Sequence, residues 1–301
     1  MQAPSRELHR LEIIVATLAL LAVLALSIGF AQAGPKSRKA EANPSDAQAN
    51  PSALRSSVVL VQDVGNGETL IARNAVAVMP IASITKLMTA MVLLDGKLDL
   101  GQRVAISGDD LDYLKGTRSR LRPGSVLTRD ELLLLALMAS ENRAASALAR
   151  TFPGGTDAFV AAMNAKARAL GMQDTRFRDP TGLNSANVSS ARDLARLVTA
   201  AHEYPLIRDY STRSNATVQA LGKPLAYRNT NGLVRSAHWD IELSKTGFIS
   251  EAGRCLVMQV RMAQRDLVVV LLDSWGKYTR IGDANRIRKW LENQLAGARP
   301  G

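Results

Sequence analysis

Cysteine and histidine are scarce in this 301-residue chain. The single cysteine, Cys255, allows neither an internal disulfide framework nor a cysteine-rich zinc site. The three histidines, His9, His202 and His238, never adopt a His-x-x-x-His spacing. A histidine-built metal centre is therefore not expected, and no residue pattern asks for a cofactor. Acidic residues are also in deficit, 27 against 38 Lys and Arg, which leaves a formal charge of +11. Such a balance calls for an anionic partner: nucleic acid, a membrane surface or an acidic polymer. Aromatic residues make up only 4% of the chain and no basic stretch interleaves with them, which speaks against nucleic acid. What remains is ordinary globular composition, 47% hydrophobic and 22% charged, which excludes collagen, global disorder and a multi-span membrane protein.

The N-terminal end reads as an export segment. Arg6 and Arg10 form a basic start, residues 13–30 are uncharged and mostly apolar, and Ala31-Gln32-Ala33 gives the small-x-small pattern of a cleavage site. Residues 1–33 are thus a signal peptide or, alternatively, an uncleaved anchor, since an 18-residue run lies near the lower limit for a span, roughly 17–25 residues. Residues 34–54, rich in Ala, Pro, Ser and Asn, carry no apolar period and read as a disordered linker. A body from 55 to 295 has the length for one domain with a sizeable core, and 296–301 form a tail.

Within the body, Val58 to Asp63 and Thr69 to Arg73 read as strands joined by Gly65-Asn66-Gly67, with Asn-Gly free to take positive φ. Residues 81–94 form a helix that is apolar nearly all round, hence buried. Thr128-Arg-Asp-Glu131 is a capping box opening a helix that runs to Met138. Further helices are expected over 156–170 and 190–203. Strands follow at 241–249, 254–262 and 266–272, and an amphipathic helix over 281–295 closes the chain. Strands, helices, strands and a helix in that order give an α+β fold: an antiparallel sheet built from both ends of the chain, flanked by helices, with an all-helical lobe inserted.

Three short motifs carry the chemistry. Ser83-Ile84-Thr85-Lys86 opens the buried helix, and its i, i+3 spacing puts Ser83 and Lys86 on one face. A serine hydroxyl needs a base before it can attack, and a lysine amine serves only if burial or a nearby cation lowers its pKa. Ser140-Glu141-Asn142 follows Ser83 by 57 residues, and Lys245-Thr246-Gly247 follows Ser140 by 105, inside a strand. Gly247 is expected to let a substrate backbone lie close against that strand. Each motif alone is near noise, and a second Ser-x-Asn at Ser185-Ala186-Asn187 reads as a loop. The ordered set is different: it is the signature shared by penicillin-binding proteins and class A β-lactamases.

On these residues, together with Met79 to Ala90, Leu137 to Ala145, Asp179-Pro-Thr-Gly-Leu-Asn184 and Leu243 to Cys255, the chain resembles the low-molecular-mass penicillin-binding D,D-peptidases, of peptidase S11 type, and within them the endopeptidases. The resemblance covers about 57–291 and implies a β-lactamase/transpeptidase-like fold. It implies Ser83 as nucleophile, Lys86 as general base and Ser140 as proton relay to the leaving amine. Asn142 would bind the substrate amide. Lys245 and Thr246 would hold a carboxylate, Lys245 also depressing the Lys86 pKa. Gly247 and Phe248 would complete the substrate strand, with the N–H groups of Ser83 and Phe248 as an oxyanion hole.

The activity so implied is a periplasmic, exported serine D,D-endopeptidase that hydrolyses D-Ala–diaminopimelate cross-links of peptidoglycan, with β-lactam antibiotics as covalent inhibitors and peripheral membrane association allowed by the charge. The alternatives are a D,D-carboxypeptidase, a β-lactamase on the same fold, and a non-catalytic wall-binding protein. Elsewhere, Asp109, Asp110 and Asp112 read as a solvated loop, lacking calcium-loop spacing. His202 and His238 read as surface or hydrogen-bonded side chains, and Cys255 as an inert core residue.

Overall fold

A computed structural model describes residues 53–297, so the expected export segment, most of the linker and the last residues of the tail lie outside the described residues. In chain order the strands are β1 (Ser56–Asp63), β2 (Thr69–Arg73), β3 (Met79–Pro80), β4 (Arg103–Ala105), β5 (Val126–Thr128), β6 (Val188–Ser189), β7 (Asn215–Ala220), β8 (Lys223–Arg228), β9 (Asp240–Ile249), β10 (Gly253–Met262) and β11 (Arg265–Ser274). The helices are α1 (Thr85–Asp95), α2 (Arg129–Met138), α3 (Asn142–Arg150), α4 (Gly155–Ala169), α5 (Ala191–His202), α6 (Pro205–Thr212) and α7 (Thr279–Gly297).

The main sheet is antiparallel throughout, in the order β2-β1-β11-β10-β9. Its first two strands come from the start of the described chain and its last three from the end, with helices α1 to α6 between them, as the α+β reading expects. The Val-rich central strands are buried on both faces because successive side chains alternate sides. Val58, Leu60, Val257, Val268, Val270 and Leu272 join the core shared with α1, α2 and α5. Val59, Val61, Leu256, Met258, Val269 and Leu271 pack on the other face with Ala284, Ile287 and Leu291 of α7. Among the described residues no helix is long and apolar enough to cross a membrane.

Several local expectations need correction. The β1–β2 hairpin forms, but as a wider loop in which Asp63 Oδ1 accepts from Gly65 N (2.8 Å) and Asn66 N (3.2 Å), and Gly67 but not Asn66 takes positive φ. The β7–β8 hairpin went unread because its turn uses Leu221 (φ +50°) before Gly222, where a bulky residue at positive φ gives no turn signal. Helix α6 begins with Pro205 at its first turn, a position where the missing N–H costs nothing. Of the acidic triplet only Asp109 is exposed as a solvated loop residue. Asp110 is buried and pairs through both oxygens with Arg150 (3.0 and 2.8 Å), while Asp112 accepts four hydrogen bonds from residues 114–117.

Candidate active site

Ser83 lies on a short 3-10 turn, Ala82–Ile84, that leads directly into α1. Helix α1 is buried over 85–93, so Lys86 is pulled into the interior with no exposure at all. Its Nζ has three neighbours: Ser83 Oγ at 2.9 Å, Asn142 Oδ1 at 2.7 Å and the Thr181 carbonyl at 2.6 Å. Burial lowers the Lys86 pKa to about 7, against the opposing pull of the Asp179 and Glu141 charges. At neutral pH much of this amine is therefore uncharged. Two of its three neighbours are oxygens that only accept, so they take its two N–H bonds. The lone pair is left facing the third neighbour, the Ser83 hydroxyl.

Asn142 can offer its carbonyl oxygen to Lys86 because its other end is fixed. Its Nδ2 donates to Thr117 Oγ1 (3.0 Å), and Thr117 Oγ1 donates in turn to Asp112 Oδ2 (2.7 Å). This chain sets the amide orientation. Composition gives no hint of Asp112 and Thr117; their part emerges only once the loop folds back on α3.

Ser140 occupies the break between α2 and α3, with φ +58°. A non-glycine residue held there is strained, as is common where a side chain must be aimed. Its Oγ accepts from Lys245 Nζ at 2.8 Å, and Lys245 also donates to the Thr246 carbonyl (2.9 Å). Lys245 is buried, and its pKa is held well below the ordinary lysine value by burial and by the nearby Lys86 charge. The expectation that Lys245 helps depress Lys86 needs revision: burial is the first cause for both amines, and the charge effect runs from Lys86 to Lys245. Thr246 Oγ1 donates to Thr230 Oγ1 (2.7 Å). Phe248 is exposed, with the Arg254 guanidinium 4.5 Å above its ring.

Gly247 meets the protein's own chain. A Cβ there would lie 3.0 Å from the Ile81 carbonyl oxygen, 3.1 Å from Ala82 Cβ and 3.1 Å from Ser83 N. The absence of a side chain thus allows a close approach of strand β9 to the Ser83 segment. On the other side of that segment, Gly182 (φ +83°) abuts the Ala82 carbonyl so tightly that a Cβ would lie 2.0 Å from its oxygen.

Gly182 belongs to the turn 179–184, one of the stretches that carry the family resemblance. Asp179 organises it: Oδ1 accepts from Thr181 N, Thr181 Oγ1 and Gly182 N, and Oδ2 from Asn184 N, all within 2.7 Å. The turn in turn presents the Thr181 carbonyl to Lys86. Asn187, fully buried, pins it to α1 by donating to Thr85 Oγ1 (3.1 Å) and to the Asp179 carbonyl (2.9 Å). Ser185-Ala186-Asn187 is thus a loop, as read, but its asparagine is a clamp. Asp-Pro and Thr-Gly at 179–182 are turn chemistry visible in the sequence.

The remaining candidates lie elsewhere. His202 Nε2 is 2.8 Å from Glu242 Oε2, away from the cluster. Cys255 is buried, with its thiol pushed up to about 12 by burial, as an inert core residue should be. Among the described residues no group of three or more His, Cys, Asp or Glu could hold a metal ion. The geometry thus gives two hydrogen-bonded groups, Ser83–Lys86–Asn142 and Ser140–Lys245–Thr246, near enough that the Lys86 charge acts on Lys245, with Gly247 against the Ser83 backbone.

Comparison with known proteins agrees. Residues 44–276 match the family model of peptidase S11, described as D-alanyl-D-alanine carboxypeptidase. A D-alanyl-D-alanine endopeptidase of Pseudomonas aeruginosa is 51% identical over 250 residues, which are 82% of this chain and 80% of that one. A D-alanyl-D-alanine endopeptidase of Escherichia coli is 46% identical over 241 residues, 79% and 78% of the two chains. Among solved structures, the Streptomyces K15 DD-transpeptidase aligns with a TM-score of 0.73 at 28% identity, covering 80% of this chain and 98% of that one. The chain belongs to the peptidase S11 family of D-alanyl-D-alanine peptidases.

Proposed function

We propose that this protein is a serine D,D-endopeptidase that hydrolyses the D-Ala–diaminopimelate bond of peptidoglycan cross-links through a Ser83 acyl-enzyme. The observation that carries the reading is a buried amine with a pKa near 7 whose lone pair faces a hydroxyl 2.9 Å away. A base titrating near the operating pH combines availability with driving force.

The chemistry runs in two halves. Neutral Lys86 takes the Ser83 proton as Oγ bonds to the D-Ala carbonyl carbon. The N–H groups of Ser83 and Phe248 receive the developing oxyanion, on a strand backbone that Gly247 lets approach Ser83. The carbon–nitrogen bond then breaks as the leaving amine takes the Ser140 hydroxyl proton; the proton that Lys86 took from Ser83 replaces it, which leaves Lys86 neutral for the second half, while Lys245 holds the Ser140 oxygen through its hydrogen bond. Lys245 and Thr246 hold the carboxylate beside the scissile amine, and Asn142 contributes to the substrate amide while holding Lys86. In the second half a water gives a proton to Lys86 and attacks the ester, which restores the Ser83 hydroxyl and frees the acid.

β-Lactams would acylate Ser83 by the first half and remain attached. The two carboxylates whose charges reach Lys86 are both occupied: Asp179 by four donors and Glu141 by the Arg143 N–H. Asp179, held by four donors, is not spare to activate water, and the 46–51% identity to D-alanyl-D-alanine endopeptidases favours a peptidase over a β-lactamase. Residues 1–33 would deliver the chain to the periplasm, and its positive charge would favour peripheral association with anionic wall or membrane.

The test is to incubate the purified full chain with cross-linked muropeptide dimers and follow the products by mass. Conversion to monomers, abolished in Ser83→Ala, is the expected result. Loss of a terminal D-Ala alone would reassign the protein as a carboxypeptidase, and binding without any product would make it a wall-binding protein.

A further inference from the structure

Two adjoining concavities extend from the Ser140 side of the site. One, of about 450 Å³, is lined by Arg118, Arg120, Arg228 and Tyr227, with Ala139 and Glu141, the two neighbours of Ser140. The other, of about 430 Å³, shares Ser119 and Arg120 with the first and adds Arg122, Lys223 and Ser125. They form one groove with a direction. Arg228 ends β8, two residues before Thr230, whose hydroxyl accepts from Thr246. The groove therefore starts beside Ser140 and Thr230 and extends along β8 to Lys223, and Ser83 is not among its lining residues.

Its walls are charged and uncommitted. Arg118, Arg120, Arg122, Lys223 and Arg228 are all exposed, and none forms an ion pair among the described residues. The one carboxylate in the groove, Glu141, already accepts from the Arg143 N–H at the start of α3. The Tyr227 hydroxyl, on a buried side chain, has the Arg120 side chain as its neighbour. The Arg120 guanidinium lies 4.0 Å over the Tyr227 ring, which fixes the arginine beside that hydroxyl.

We propose that this groove binds the carboxylates of the peptide stem on the leaving-group side of the scissile bond, and so selects cross-linked stems over a terminal D-alanine. The inference rests on the peptidase reading above for the identity of the stem. Free D-alanine and diaminopimelate both carry a carboxylate beside the reacting amine, and that one falls to Lys245 and Thr246. Diaminopimelate is a diacid and continues into an acidic peptide, so only a cross-link offers further carboxylates to the groove. Arginine's planar fork matches a carboxylate through two parallel hydrogen bonds. The groove is thus a specificity element; the bond-breaking groups stay where they are.

The experiment measures binding of muropeptide dimer to the full chain carrying Ser83→Ala, so that no turnover intervenes, with and without Arg120→Gln or Arg228→Gln. A second dimer carries carboxamides in place of the leaving-side stem carboxylates remote from the scissile amine. Each arginine substitution should weaken dimer binding about tenfold, the scale of one charge-assisted contact in a partly exposed groove. The amidated dimer should bind the arginine-intact protein more weakly by a similar factor and be nearly indifferent to the substitutions. Equal affinity for both dimers on the arginine-intact protein overturns the proposal even if a variant fails to fold. Unchanged binding by both folded variants overturns it as well. Cleavage by the Ser83 protein is scored separately: arginine-dependent binding without cleavage would sink the peptidase reading alone, and cleavage without arginine dependence would sink the groove alone.

Discussion

Lys86 shows how one buried residue becomes a base. A lysine in water is protonated at neutral pH, and a charge moved into a low-dielectric interior is penalised until the group sheds its proton. Burial on the first turns of α1 brings the amine to about 7, while the Asp179 and Glu141 charges keep it from falling further. The sign for activity follows. Only the neutral amine can accept the Ser83 proton, and its population falls as pH drops below the pKa. The rate of Ser83 acylation by a penicillin should therefore decline about tenfold per pH unit below about 7 and level off above it. Stopped-flow acylation from pH 5 to 9 measures this directly. A rate independent of pH between 5 and 7 would mean that the proton goes elsewhere.

At the scale of elements, the site is a junction of segments locked by two glycines. The Ser83 turn is held between strand β9 at Gly247 and the 179–184 turn at Gly182. Gly182→Ala would force a Cβ into the Ala82 carbonyl at a positive φ, so the turn must retreat and carry the Thr181 carbonyl away from Lys86. Acylation should fall by more than about a hundredfold, since displacements near 1 Å cost that much in a positioned site. Gly171→Ala is the matched control: its φ is also positive, but the space beyond is open, so it should lose about 1 kcal/mol of stability and keep its acylation rate. Equal rates for the two variants would refute the junction argument. These contacts also explain what sequence reading could reach. Ser83, Lys86, Ser140 and Lys245 were legible because hydroxyl and amine at motif spacing have few other uses as a set. The Asp112–Thr117–Asn142 chain and the Gly182 contact were not, because each depends on a loop meeting a residue 25 to 100 positions away. Gly247 was legible as a point of close approach, yet the approaching partner was a matter of tertiary packing.

Across the whole molecule, the sheet closes a loop between the two ends of the body. Its strands were legible from alternation and apolar runs, and a sheet built from both ends of the chain followed from the order of elements, but neither the pairing of β1 with β11 nor the fastening of that closure was. Asp283 in α7 is fully buried, and its two oxygens accept from Arg55 N (3.1 and 3.0 Å), Ser56 N (2.7 Å) and Ser56 Oγ (2.6 Å). Arg286 also donates to it at 2.9 Å. An aspartate on an amphipathic helix reads as a solvent-facing residue until the first strand is placed beside it. Its contacts span 227 and 228 positions in sequence, so their loss acts on the closure of the entire fold. Asp283→Ala would leave two backbone N–H groups and a hydroxyl without their acceptor, each worth about 1–3 kcal/mol when buried. Relaxation and water entry recover part of that, so a net loss of about 3 kcal/mol is expected, which for a domain of this size lowers the melting temperature by about 6–12 °C. Because Asp283 serves the β1–α7 seam rather than the Ser83 cluster, acylation measured well below the transition should be unaltered. A melting temperature within about 2 °C of the parent, under 1 kcal/mol on the same scale, would show that β1 is held by its β11 ladder alone and that the aspartate is dispensable to the closure.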